Sequence, residues 1–231
     1  MLKCENAKMG TIELIIFDLD GTLVDSRYDL CDGVNYALEK LGLPQRISYD
    51  QLPPMLGSGL GHLLQSASGA SEADTLRQAR QYFDDYYGQH YARKTRPYPG
   101  VVETLGALSH LKKAVYSNKA QDFTTAIINE LQLAPYFDQV LGAQPGLYAL
   151  KPDPAGIRLI LSELHVRPEN ALMVGDSTHD IEAAKAAGLH SCAVTYGYRP
   201  AGLLAESRPD FMIGHFGDLL KLITGPSISK P

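Results

Sequence analysis

Two carboxylates two positions apart, Asp18 and Asp20, stand directly after a short apolar run from Ile12 to Phe17. Residues i and i+2 of an extended segment project to the same side, so both acids can share one site at the carboxyl end of a strand, where open α/β sheets bind their ligands. Such a pair suits a two-step phosphoryl transfer. One carboxylate attacks phosphorus, and the other handles the proton of the leaving group and then of water. Gly21 lets the chain turn sharply, and Thr22 stands where it could hold Asp20 in place. A single Asp here would also serve as a polar turn cap, but the whole string Asp18-Leu19-Asp20-Gly21-Thr22 is poorly explained that way.

Three further clusters follow apolar segments or open helical ones. Ser117-Asn118-Lys119 succeeds Ala114–Tyr116, and its hydroxyl and backbone N–H groups suit phosphate oxygens, although Ser and Asn are also common helix caps. Lys151, in Lys151-Pro152-Asp153-Pro154, could neutralise a phosphoryl group and an attacking carboxylate; the plainer role is a solvated loop lysine. Gly175-Asp176-Ser177-Thr178-His179-Asp180 adds a second acidic strand end. Magnesium takes hard oxygen ligands, so Asp18, the backbone carbonyl of Asp20 and Asp176 would form a suitable open site. Asp180 would ligate or orient a metal-bound water, or simply charge a helix N-terminus, while Gly175 and Ser177 support the turn. Without a cation, several carboxylates in one place would raise one another's pKa.

The elements that must position these groups are short apolar strands alternating with helical patterns. Further runs at Gln139–Leu141, Ala171–Val174 and Ser191–Val194 are separated by helical segments at Thr124–Leu131, Pro154–Leu164 and Ile181–Ala187. That alternation predicts βαβ units and a doubly wound parallel sheet. Between about Arg27 and Arg96 the rhythm breaks into helical periodicity alone. Leu30, Val34, Leu38 and Leu41 mark one face there, and Leu76, Phe83 and Tyr87 another, with Pro53-Pro54 and glycines 57, 59 and 61 interrupting. Residues 1–26 and 97–224 are therefore read as an α/β core, 27–96 as a small inserted helical cap with linkers at Ser26-Arg27 and Arg96-Pro97, and 225–231 as a loose tail. The apolar stripes of the cap are read as core packing.

The 231 residues suffice for a sizeable core, and the net charge of −5 counts against general nucleic-acid binding. Three cysteines, Cys4, Cys31 and Cys192, form no CxxC pair, which fits a reducing cytoplasm better than a disulfide framework. No segment approaches the length of a membrane span, and no signal peptide is read.

In order and strand-end placement, DLDGT at 18–22, SNK at 117–119, KPDP at 151–154 and GDSTHD at 175–180 resemble the haloacid dehalogenase superfamily. The likeness runs from about Ile12 to Leu222 and implies a Rossmann-like core with a cap after the first motif. It implies Asp18 as nucleophile, Asp20 as general acid and base, Ser117, Asn118 and Lys151 at the phosphate, and Asp18, Asp20 and Asp176 at Mg2+. DLDGTLVDS at 18–26, YPG at 98–100 and GYRP at 197–200 are similar to its phosphoglycolate phosphatase group, although Tyr116-Ser117 stands where that group more often has Val-Thr. The implied activity is hydrolysis of a small phosphorylated metabolite, phosphoglycolate foremost, by a monomer or homodimer. A phosphomutase of the same fold and a non-catalytic receiver-like phosphoacceptor are the rivals. In the cap, Gly57, Ser58 and Gly59 are the candidates for contacting the non-phosphate end of the substrate, because glycine permits a close backbone approach.

Overall fold

The computed structural model describes residues 11–224; Cys4 and the tail read at 225–231 lie outside the described residues. Strands β1 (Leu14–Phe17), β4 (Lys112–Ala120), β5 (Gln139–Ala143), β6 (Ala171–Gly175), β7 (His190–Val194) and β8 (Phe211–Ile213) form one sheet in the order β5-β4-β1-β6-β7-β8. Every neighbouring pair in it is parallel. Helices α4 (Val101–Ala107), α5 (Gln121–Glu130), α6 (Ala155–Glu163), α7 (Thr178–Ala187), α8 (Ala201–Glu206) and α9 (Asp218–Thr224) connect the strands or follow the last of them.

The continuous apolar runs have the reason expected for a parallel sheet, since both faces are covered. From β1, Ile15 and Phe17 enter one buried cluster while Leu14 and Ile16 enter the opposite one. β6 divides in the same way, Leu172 and Val174 against Ala171 and Met173. Burial of each such side chain contributes about 1.5–3 kcal/mol before conformational entropy is counted. Phe17 pairs with both Val115 and Val174, so Asp18 emerges beside the end of β6 and against β4, which runs on to Ala120.

The segment between β1 and β4 carries a helical cap: α1 (Arg27–Lys40), α2 (Leu60–Ser68) and α3 (Ala73–Tyr87). Leu30, Val34 and Leu38 of α1 pack with Leu63 and Leu64 of α2 and with Ala79, Phe83 and Tyr87 of α3. Gly33 lets α1 approach closely, because a Cβ there would lie 2.9 Å from the Phe83 ring. Leu76 departs from the expected stripe. It is half-buried and lines an outer groove between α2 and α3, and Ala79 faces the cap interior instead.

The linker read at Arg96-Pro97 lies in a short ribbon, and the one read at Ser26-Arg27 directly follows its other strand. β2 (Val24–Asp25) and β3 (Arg96–Pro97) form an antiparallel ribbon. Beside it the buried carboxylate of Asp29 accepts bonds from the backbone N–H groups of Lys94 and Thr95, the latter at 2.7 Å, and from Thr95 Oγ1 at 2.8 Å. Among the described residues no helix is long and apolar enough to cross a membrane.

Candidate active site

The site lies at the carboxyl ends of β1, β4 and β6, beneath the cap. The Asp18 backbone N–H donates to Val174 O at 2.9 Å, which fixes the start of the Asp18–Thr22 turn against β6. Gly21 has φ of +88°, and a Cβ on it would lie 2.2 Å from Asp176 Oδ2, so the turn requires glycine both for its backbone and for the approach of the second acidic strand. Gly175 is needed for contact alone, as its Cβ would meet the Asp180 carboxylate at 2.2 Å.

Lys151 is almost wholly buried, not a solvated loop lysine. Its ammonium donates to Asp18 Oδ1 at 2.7 Å, Asp180 Oδ1 at 2.7 Å and Tyr116 O at 2.8 Å, which occupies all three of its protons. The two neighbouring carboxylates hold its pKa above the usual lysine range despite burial. Of the roles considered for Asp180, its contacts show the one at a helix N-terminus, together with an ion pair to Lys151. One oxygen meets Lys151, and the other accepts from Ser177 N at 3.0 Å and Ser177 Oγ at 2.7 Å at the start of α7.

Asp18, Asp176 and Asp180 each offer an oxygen within 4.8 Å of the others, a donor set suited to a hard cation. Desolvation pushes the Asp18 carboxyl up to about 7, against the pull of Lys151 and with help from the Asp180 charge. Asp176 is raised well above the carboxylate range, again by burial first and then by Asp18 and Asp180. Four carboxylates, those of Asp18, Asp20, Asp176 and Asp180, face the two ammonium groups of Lys119 and Lys151. Fully ionised, that set has an excess of two negative charges, so a divalent cation fits it in charge as well as in ligand type.

Asp20 is held by a residue other than the one expected. Thr22 Oγ1 is buried without a partner, and it is Ser26 Oγ that bonds Asp20 Oδ1. The same carboxylate oxygen lies 3.1 Å from Lys119 Nζ. The Ser117–Lys119 motif also sits differently from the expected loop after a strand. β4 continues through Ala120 with an irregularity in its pairing between Tyr116 and Ala120. Ser117 is buried and lines the same cavity as Asp18, its Oγ accepting from Lys119 N–H at 3.2 Å, whereas the Asn118 amide is committed to other loops. It donates to Gly57 O at 2.9 Å and Lys151 O at 3.0 Å and accepts from Lys151 N at 2.8 Å.

The cap closes a cavity of about 90 Å³ over these groups. Gly57 and Gly59 line it with Leu56 and Leu60, while Ser58 does not. Arg93 and Arg96 are also away from it; the Arg96 guanidinium binds the carbonyls of Ala92, Arg93 and Thr95.

A family model described as haloacid dehalogenase-like hydrolase matches residues 15–194. The chain belongs to the haloacid dehalogenase-like hydrolase family. Within it, the chain is 36% identical over 242 aligned residues to the phosphoglycolate phosphatase of Salmonella typhi, covering 95% of both chains. It is 37% identical to phosphoglycolate phosphatase 1 of Pseudomonas aeruginosa, over 90% of this chain and 78% of that one. The crystal structure of a predicted phosphoglycolate phosphatase from Haemophilus somnus superposes with a TM-score of 0.86 at 35% identity, covering 93% of this chain and 99% of the other.

Four residues that the sequence reading left out of this hydrolase site are Lys119, Tyr87, Tyr198 and Arg199. Lys119 Nζ donates to the Tyr87 hydroxyl at 2.8 Å beside Asp20. Tyr198 N–H donates to Asp176 Oδ2 at 2.6 Å, and its hydroxyl accepts from Ser26 N–H at 2.9 Å. Arg199 reaches the cap turn, donating to Pro54 O at 2.7 Å and also to Leu56 O. Lys119 alone had a usable signal, since it lies two residues beyond Ser117 in an extended segment, the parity that groups Asp18 with Asp20.

Proposed function

We propose that this chain hydrolyses a small phosphate monoester, phosphoglycolate foremost, through an aspartyl-phosphate on Asp18 and with magnesium. The enzyme class, phosphoric monoester hydrolase, is that of its haloacid dehalogenase-like relatives. The single observation that carries the mechanism is the pairing of two carboxylates two residues apart in unlike surroundings. Asp18 is buried against Lys151, and Asp20 is held by Ser26 and Lys119 at the mouth of the same cavity.

An Asp18 oxygen attacks phosphorus as the P–O bond to the alcohol breaks, and Asp20 gives its proton to the leaving oxygen. Asp20, now a carboxylate, takes a proton from water as that water attacks phosphorus, the acyl-phosphate P–O bond breaks, and Asp18 is regenerated. Lys151 carries part of the phosphoryl charge, with Ser117 Oγ beside it. Asp18, Asp176 and Asp180 would hold magnesium, with the backbone carbonyl of Asp20 as the further oxygen ligand expected from the sequence. When bound, that ion would neutralise the excess carboxylate charge and polarise phosphoryl oxygens. The closed apolar cap excludes bulk water and strengthens these electrostatic contacts. Its small cavity suits a metabolite rather than a folded phosphoprotein, and we place the enzyme among the metabolites of the cytoplasm.

The test is acid quenching during turnover of labelled phosphoglycolate with magnesium. Label should appear on Asp18 and inorganic phosphate in solution; EDTA and Asp18→Asn should each abolish both. Label on another residue, full turnover without metal, or return of phosphate to an isomerised sugar with no free phosphate would overturn the proposal.

A further inference from the structure

The cavity is lined by three cations, Lys119, Lys151 and Arg199, all from the core, while the cap wall is built from apolar side chains, glycine backbone and the Tyr87 hydroxyl. Their availability differs. Lys151 has spent its three protons on Asp18, Asp180 and Tyr116 O. The Arg199 guanidinium is turned to the carbonyls of Pro53, Pro54 and Leu56. Lys119 has Tyr87 Oη at 2.8 Å and Asp20 Oδ1 at 3.1 Å as partners, which leaves one of its three ammonium protons for a ligand. Its side chain is only 6% exposed, so solvent cannot cheaply supply the missing acceptor, and a buried donor left unpaired is costly.

Position determines which part of a ligand it meets. Asp20, as the group that protonates the leaving oxygen, lies on the alcohol side of the phosphoryl group, and the Lys119 ammonium touches Asp20. An anionic group one carbon removed from the ester oxygen is therefore within reach of Lys119, and not of Lys151 on the phosphoryl side.

We propose that Lys119, with the Tyr87 hydroxyl of the cap, is the specificity-determining pair that receives the carboxylate of a 2-phospho-acid substrate. This assignment rests on the phosphatase reading and deepens it. Tyr87 stays protonated because burial pushes its pKa up to about 12, so its hydroxyl donates to the same carboxylate while remaining joined to Lys119. Because Tyr87 ends α3, a bound carboxylate would tie core and cap together on the alcohol side, and an ester whose alcohol part carries no charge would leave the ammonium short of a partner.

The experiment compares kcat/KM for phosphoglycolate and for ethyl phosphate, its counterpart of similar length without the carboxylate, in the native protein, Lys119→Met and Tyr87→Phe. The native enzyme should favour phosphoglycolate by ~10- to 100-fold, as expected for a charge-assisted hydrogen bond in a buried site. Lys119→Met should bring that ratio close to one, chiefly through KM for phosphoglycolate, and Tyr87→Phe should lower it by a smaller factor. An equal fall for both esters in Lys119→Met would show that Lys119 acts only on Asp20 and would overturn the proposal, as would an unchanged ratio. Calorimetric binding of phosphoglycolate to Asp18→Asn, with and without Lys119→Met, reads the contact without turnover. Loss of about tenfold or more in affinity supports the assignment even if neither ester is hydrolysed, and equal affinities reject it. If Lys119→Met does not fold, the Tyr87→Phe ratio decides, since that change removes one oxygen and keeps the ring.

Discussion

The core and the cap use opposite means to build one cavity. On the core side, carboxylates and ammonium groups are crowded at the ends of three strands and held by specific bonds: Asp18 to Lys151, Asp180 to Ser177 and Lys151, Asp176 to Tyr198 N–H. On the cap side the wall is Leu30, Leu56, Leu60, Leu63 and Phe83, whose positions depend on packing. Buried charge tolerates little displacement, whereas an apolar wall can slide with small loss. The difference supports a division of labour on the proposed reading: the charged half would carry out the reaction, and the half on the β2–β3 ribbon would decide what enters and when water leaves.

The sharpest way to break that comparison is at Asp20, the core acid joined through Lys119 to Tyr87 of the cap. Asp20→Asn retains the Asp18 nucleophile but removes the proton donor, so steady-state turnover should fall by about 100-fold or more. With an aryl phosphate, whose leaving group needs little protonation, formation of the aspartyl-phosphate should suffer less than its hydrolysis, and labelled enzyme should accumulate. Rapid-quench measurements that find both steps equally slowed, with no accumulation, would remove Asp20 from the proton-transfer role.

Arg199 is where the two halves are joined by a polar clamp, and its loss should be milder. Arg199→Ala deletes the bonds to Pro54 O and Leu56 O and loosens the turn that carries Gly57, which keeps its bond from Asn118 Nδ2. KM for a small ester should rise by roughly 3- to 10-fold, the worth of about one lost hydrogen bond, with aspartyl-phosphate still forming at saturating substrate. A variant that binds substrate normally but fails to label Asp18 would place Arg199 in the chemistry instead of in closure.

The same contrast governs what the sequence could reveal. Strands β1 and β6 were legible because burial on both faces makes them continuously apolar, and Asp18 and Asp176 were legible because they follow those runs directly. β8 was missed, being three residues long at the sheet edge and half-buried through most of its length, and the β2–β3 ribbon has two residues in each strand. Thr22 was a reasonable neighbour for Asp20, but the bond comes from Ser26, which the turn folds back toward it. Tyr87 reads correctly as cap packing, yet its hydroxyl reaches Lys119, 32 positions away in the chain. Arg199 and the turn it holds are more than 140 positions apart. Helical periodicity reports which face is buried, and it carries no information about which polar atom at the edge of that face meets a distant loop.

The smallest effect expected separates the halves by their response to pH. Burial pushes the Asp18 carboxyl up to about 7 against an ordinary 3.8, and Asp176 is likewise raised well above the carboxylate range, so without metal the folded protein holds protons that the unfolded chain releases near pH 4. Unfolding free energy then falls as pH rises from about 4 to 7 through Asp18, and the raised Asp176 carboxyl adds a loss of the same sign. His179 acts in the opposite direction, because burial lowers its pKa below 6.5 and neutralisation of the unfolded chain's imidazole favours the fold as pH rises. The measurement is therefore made in His179→Gln. Its metal-free melting temperature should decline from pH 5 to 8, and magnesium should restore more at pH 8 than at pH 5, where protonated carboxyls bind it poorly. Phe83→Ala, added to that background, removes a buried ring from the cap and should cost about 3–5 kcal/mol by a route that involves no proton, lowering the melting temperature by a similar amount across the range. A metal-free melting temperature that is flat or rising over this interval would mean that the core carboxylates are not crowded as the structure places them. A Phe83→Ala deficit that grows with pH would mean that cap and core share one electrostatic unit, and the division between a charged reacting half and an apolar closing half would fail.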